Sequence, residues 1–108
     1  MNMKNHGFIY SYENGLVFSV LFPGGTKVQW ECIGGEEKGT KGEGPAQIID
    51  LGHDRNFLHW IESDGLTVTQ VIDHAVHNVT TSLVFPHGFD GKGSVQSLVL
   101  QGTIRKTE

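Results

Sequence analysis

Apolar residues recur along the chain with a period of two, in short runs separated by turn residues. That alternation predicts strands with one buried and one wet face, and no stretch carries a 3.6-residue period long enough for a substantial helix. Residues 8–13 read as a strand closed by Asn14-Gly15, a pair that tolerates the positive φ of a two-residue hairpin. Residues 16–22 form its partner. Pro23-Gly24-Gly25 then turns the chain into residues 27–33, where Val28, Trp30 and Cys32 alternate with Lys27, Gln29 and Glu31. Residues 34–44 hold five glycines, three Glu and two Lys but no apolar side chain, so they predict a long exposed loop. Residues 45–51, 57–62, 66–73 and 77–85 supply four further strands joined by hairpin-length connections. Residues 86–93 read as a second loop, and 95–104 as a last strand before a charged tail, 105–108.

Eight short antiparallel strands in sequential hairpins close most economically into an up-and-down barrel. Closure removes both exposed edges, and a barrel of that size has room for one small ligand. A two-sheet sandwich would use the same strands but needs longer crossovers than these connections provide. The chain is 108 residues long, so the expectation is a single small all-β domain spanning 1–108. Fifteen glycines against three prolines fit many tight turns between short strands.

The formal net charge is −4, with lysines and arginines scattered rather than striped, which argues against nucleic acid as a partner. Met1 to Phe8 lacks the apolar core of a secretory signal, and no apolar run approaches the roughly 20 residues of a membrane-spanning helix, so a cytoplasmic protein without a membrane partner is expected. Cys32 is the sole cysteine; internal disulfides and multi-cysteine metal sites are excluded, and its alternation with Val28 and Trp30 makes it a small buried hydrophobe. Six histidines include the run Asp73-His74-Ala75-Val76-His77, but these residues span a predicted turn where solvated His and Asp are ordinary. Neither a metal nor a cofactor is expected.

Alternation carries the candidate chemistry. It places Phe8, Tyr10 and Tyr12 on one strand face, so two phenols point the same way, either as core aromatics with satisfied hydroxyls or as partners for a hydroxylated or anionic ligand. Glu62 follows Leu58 and Trp60 on another face. Inside an apolar barrel its carboxyl would titrate high enough to exchange protons near neutral pH; at the rim beside Ser63-Asp64-Gly65 it would be solvated. Apolar residues on the outer face, including Ile9, Val17 and Leu21, suggest a homodimer.

Phe8-Ile9-Tyr10-Ser11-Tyr12-Glu13-Asn14-Gly15 resembles the I-Y-x-Y-E-N-G opening of the phenolic acid decarboxylases. In the same order, residues 60–68 are similar to that family's W-x-E-x-x-G-T-x-V, and Leu83-Val84-Phe85-Pro86 to its I-F-F-P. The pattern also resembles the MoaF-like proteins, which share a lipocalin-like barrel of the calycin superfamily and often have no assigned activity. The resemblance implies that Tyr10 and Tyr12 reach into the barrel to hold a substrate, and that Glu62 transfers a proton during loss of carbon dioxide from a hydroxycinnamic acid. Two departures weaken the enzyme reading. The decarboxylases carry an Arg just after the glycine of the loop following the third strand, where this chain has Gly39-Thr40-Lys41, so only Lys41, one position later, could stand in. A further tyrosine of that family is Phe18 here.

The expectation is therefore a lipocalin-like barrel that binds a small aromatic or carboxylated organic molecule against Tyr10, Tyr12, Phe18, Trp30, Lys41, Trp60 and Glu62. The alternatives are a cofactor-free decarboxylase or related lyase, with Glu62, Tyr10 and Tyr12 catalytic, and an interaction protein whose barrel is plugged by Phe18, Phe22, Phe57 and Phe85.

Overall fold

A computed structural model describes residues 1–107; Glu108, the end of the expected charged tail, lies outside the described residues. The chain forms nine strands: β1 (Gly7–Tyr12), β2 (Val17–Leu21), β3 (Lys27–Gly34), β4 (Lys41–Pro45), β5 (Gln47–Gly52), β6 (Arg55–Ile61), β7 (Thr67–Asp73), β8 (Asn78–Phe85) and β9 (Gln96–Thr107). They make one antiparallel sheet in the order β4-β3-β2-β1-β9-β8-β7-β6-β5. Each strand pairs with its sequence neighbours except β4 with β5, and β9 returns to β1, so the expected up-and-down barrel is present and nearly closed. The one unpaired seam lies between β4 and β5, which the chain crosses through Ala46, whose N–H donates to the Thr26 carbonyl at 3.0 Å.

The ninth strand corrects the expected loop over 34–44. Only the residues between Gly34 and Lys41 form the connection, pinned where Cys32 N donates to Thr40 O at 2.8 Å and Gly39 N to Cys32 O at 2.9 Å. In β4, Lys41 and Glu43 face outward while Gly42 and Gly44 face inward opposite Trp30 and Val28. The alternation is intact, but its inward members have no side chains, and a search for apolar residues passes over it. The last strand also runs beyond residue 104. Its first part pairs with β8 (Phe85 opposite Gln96) and its second with β1 (Gly7 opposite Thr107), so Arg105 and Lys106 belong to the pairing that closes the barrel. Gly102 permits close approach there, since a Cβ would collide with the Ser11 carbonyl.

The first turn falls where the sequence suggests but is not the expected two-residue form. Gly15 alone of the Asn14-Gly15 pair has a positive φ, 90°; Gly15 N donates to Tyr12 O at 3.1 Å and Tyr12 N to Leu16 O at 2.9 Å, so Glu13, Asn14 and Gly15 make a three-residue loop, with Asn14 Oδ1 accepting from Leu16 N at 3.1 Å. Inward positions are apolar and buried on strand after strand: Phe8 on β1, Val28 and Cys32 on β3, Leu58 on β6, Ile72 on β7. Phe8, Val28, Leu58 and Ile72 fill one end of the barrel, where the N-terminal segment lies across the core with Met3 buried, and Phe22 packs on Phe8 with ring centroids 6.3 Å apart.

Asn56 is a fully buried polar side chain in this end. Its Nδ2 donates to Met1 O at 3.0 Å, and its Oδ1 lies 2.8 Å from His74 Nε2. Because that oxygen can only accept, the proton of neutral His74 sits on Nε2. His74 thus braces the closed end and packs on Phe8 with the rings tilted by 47° and their centroids 5.7 Å apart. Burial holds its pKa below the ordinary imidazole value.

Candidate functional site

The other end of the barrel is hollow. The Asn14-Gly15 hairpin, the turn after β3, the Ser63-Asp64-Gly65 turn and the β8–β9 loop surround this end, and between them opens a cavity of about 470 Å³, within the usual range for small-molecule sites. Six of the expected site residues line it: Tyr10, Tyr12, Phe18, Trp30, Trp60 and Glu62. Lys41 does not. As an outward residue of β4 it lines a separate depression on the outer wall with Gln29, Glu31 and Glu43, so the one-residue offset from the Arg position turns its ammonium away from the barrel interior.

Of the four phenylalanines considered as plugs, Phe22 fills the closed end, Phe57 lies on an outward position of β6, and Phe18 and Phe85 line the cavity without filling it.

The floor of the cavity is a chain of neutral hydrogen bonds. Tyr10 Oη donates to Gln70 Oε1 at 2.9 Å, Gln70 Nε2 donates to Tyr12 Oη at 3.4 Å, and Tyr12 Oη lies 2.6 Å from Thr81 Oγ1. All four residues are buried. Burial raises the Tyr10 phenol well above its ordinary value, with proximity to Tyr12 adding to the effect, and pushes Tyr12 up to about 12 despite opposing hydrogen bonds from Thr81 and Gln70. Both phenols are therefore neutral at physiological pH. They can orient a polar group but cannot act as bases.

From this floor an aromatic ladder climbs to the mouth. Tyr10 meets Tyr12 edge-to-face at 6.2 Å, Tyr12 meets Phe18 at 5.9 Å, and Phe18 meets Trp30 at 5.9 Å. Trp30 owes its position to the bare backbone beside it, because a Cβ on Gly42 would lie 2.8 Å from its Cζ2.

Glu62 sits half-buried at the mouth, in line with Trp60 as alternation requires. Trp60 Nε1 donates to Glu62 Oε2 at 3.3 Å. Burial raises the Glu62 pKa above the ordinary carboxylate value; hydrogen bonds from the Trp60 and Trp30 side chains oppose the shift, and the nearby Asp64 charge reinforces it. The carboxyl is thus neither a solvated rim group nor a fully enclosed one.

Two members of the floor, Gln70 and Thr81, were not among the expected site residues. Their signal was present: Gln70 interrupts the inward run Val68, Gln70, Ile72 on β7, and Thr81 interrupts Val79, Thr81, Leu83 on β8. A polar residue on an otherwise apolar face marks a buried hydrogen-bonding partner, but its partner is set by strand pairing that lies outside the local pattern.

Residues 4–105 match the MoaF-like family model. Among solved structures, the fold is similar to the crystal structure of a putative beta-lactamase from Burkholderia vietnamiensis, with a TM-score of 0.83 and 18% sequence identity, covering 99% of this chain and 97% of that one. At that identity the likeness carries the fold alone. No curated protein matches the sequence.

Proposed function

The chain belongs to the MoaF-like family, and on that footing we propose that it binds a small organic molecule in the open half of its barrel. The observation that carries this reading is the cavity of about 470 Å³ with an aromatic wall and a hydrogen-bonded phenol floor, at one end of a barrel whose other end is packed shut. An aromatic or apolar body fits the Phe18, Trp30 and Trp60 wall, while a hydroxyl or carbonyl would find Tyr12, Gln70 and Thr81 at the bottom. The test is uptake of the neutral fluorophore N-phenyl-1-naphthylamine. Wild type should enhance its emission at micromolar concentration, and Val68→Phe, which fills the cavity, should abolish the enhancement. An unresponsive wild type would refute the reading.

A second reading, a decarboxylase-type lyase, draws on one observation: Glu62 carries a raised pKa within a cavity, as a proton-transfer group does. Against it, the cavity lining contains no Lys or Arg to hold a substrate carboxylate. p-Coumaric and ferulic acids should therefore keep their ultraviolet absorbance in the presence of the protein, and rapid loss that Glu62→Gln abolishes would establish the enzyme instead. We also infer a homodimer: Ile9 and Val17 of the expected outer face are half-buried, but Ile49, Phe57 and Val71 lie side by side across β5, β6 and β7 on the outer wall, with Ile49 and Val71 exposed. Light scattering at micromolar concentration tests it, a monomer mass counting against it.

A further inference from the structure

The ligand class follows from the charges around the cavity. Its lining includes the carboxylates Glu37, Glu62 and Asp64, and no lysine, arginine or histidine. Glu37 and Asp64 are exposed rim residues, whereas Glu62 is half-buried against Trp60. Among the described residues no cationic side chain pairs with Glu62; the ion pairs are Arg55 with Asp73 and the N-terminal ammonium with Asp50, both away from the cavity. Lys41, the cation expected to face the ligand, is on the outer wall. A carboxylated ligand would enter a negative mouth and find only neutral donors inside.

We propose, building on the binding reading above, that the cavity takes an organic cation: a protonated amine whose ammonium lies at Glu62 and whose apolar body lies along Phe18, Trp30 and Trp60. Two features converge. A half-buried carboxylate without a protein counter-ion gains from an incoming cation, and the attraction is screened less than at an open surface. Electron-rich ring faces, those of indoles above all, attract cations further, and an aromatic wall beside a carboxylate is the recurring means of recognising ammonium groups. The phenol floor, neutral at physiological pH, leaves the far end of the cavity suited to an uncharged group. The mouth therefore selects charge and the floor selects shape.

The experiment uses three probes that differ at one end: 4-phenylbutylamine, 4-phenylbutanol and 4-phenylbutyrate. Binding at pH 7.5 is read from the indole N–H resonances of Trp30 and Trp60, the chain's two tryptophans, both at the cavity. The amine should bind about tenfold more tightly than the alcohol, a modest charge-assisted gain for a half-exposed pair, and the carboxylate should bind most weakly. Glu62→Gln, which keeps an acceptor for Trp60 Nε1, should remove the preference for the amine and leave the alcohol within about twofold; Glu62→Asp should retain part of the preference. Equal binding of amine and alcohol, tighter binding of the carboxylate, or a preference that survives Glu62→Gln would overturn the cation assignment while leaving a binding protein. If none of the three probes shifts either resonance, the binding reading falls with it.

Discussion

Tyr10 and Gln70 lie on strands that are not neighbours in the sheet, yet the Tyr10 hydroxyl donates to Gln70 Oε1 at 2.9 Å across the barrel interior. This bond ties the β1 wall to the β7 wall at the level where the packed half gives way to the cavity. Through Gln70 Nε2 it continues to Tyr12 and Thr81, so one amide orients both phenols.

Gln70→Leu should accordingly cost more than a single hydrogen bond, because it strands the Tyr10 hydroxyl in a buried position. We expect a loss of about 1–3 kcal/mol in urea unfolding. Adding Tyr10→Phe should recover much of it, since the stranded group is then gone. A double variant no more stable than Gln70→Leu alone would show that the bond does not set the cost.

The chain contains two tyrosines, both in this network, which makes their ionisation directly readable. Phenolate absorbance should not appear as the pH passes 10, because burial raises Tyr10 well above that value and Tyr12 to about 12. A phenol raised in the folded state holds its proton longer folded than unfolded. Its contribution to stability is thus complete below the ordinary phenol value and is lost as the pH rises from about 10 towards 12. Phenolate should therefore appear together with loss of near-ultraviolet circular dichroism. A separate titration near pH 10 in the folded protein would contradict the buried placement.

Glu62 has the same sign. Its carboxyl is raised by burial, so the folded protein binds the proton more tightly than the unfolded chain. Stability is then favoured below the ordinary carboxylate value and falls as the pH climbs through the raised one. Glu62→Gln should raise the thermal midpoint at pH 7, with the gain shrinking as the pH is lowered past the carboxylate range. A destabilised variant at pH 7 would mean that the Trp60 bond outweighs desolvation.

Gly42 and Gly44 provide an internal control for the cavity wall. A Cβ at Gly42 would press on the Trp30 ring at 2.8–3.0 Å, whereas at Gly44 it would meet nothing within 4 Å. Gly42→Ala should shift Trp30 emission and weaken probe binding severalfold; Gly44→Ala should leave the emission near that of wild type. The same response from both would place the indole elsewhere.

Leu58 is fully buried in the packed half, so Leu58→Ala should destabilise by about 2–5 kcal/mol without altering the aromatic ladder. Chemical unfolding gives the cost, and the Trp30 and Trp60 resonances report whether the cavity survives.

Period-two alternation, together with hairpin-length connections, predicted from the sequence alone an all-β barrel and which residues of eight strands share a face. A side chain's face depends only on local backbone geometry, and Tyr10, Tyr12, Trp60 and Glu62 are where that geometry places them. The turn positions were equally legible, because Asn14-Gly15 and Ser63-Asp64-Gly65 act within a few residues, although the first turn takes Glu13 into a three-residue loop. β4 escaped because Gly42 and Gly44 leave its inward face blank, so its existence rests on hydrogen bonds to β3 rather than on any apolar signal. The extension of β9 through Arg105 and Lys106 likewise depends on β1, almost the whole chain away. The partnership of Gln70 with Tyr10, the exclusion of Lys41, and the division of the barrel into a packed half and a hollow half were decided by tertiary structure. Each requires knowing which strands face one another across the interior, and how much space their side chains leave.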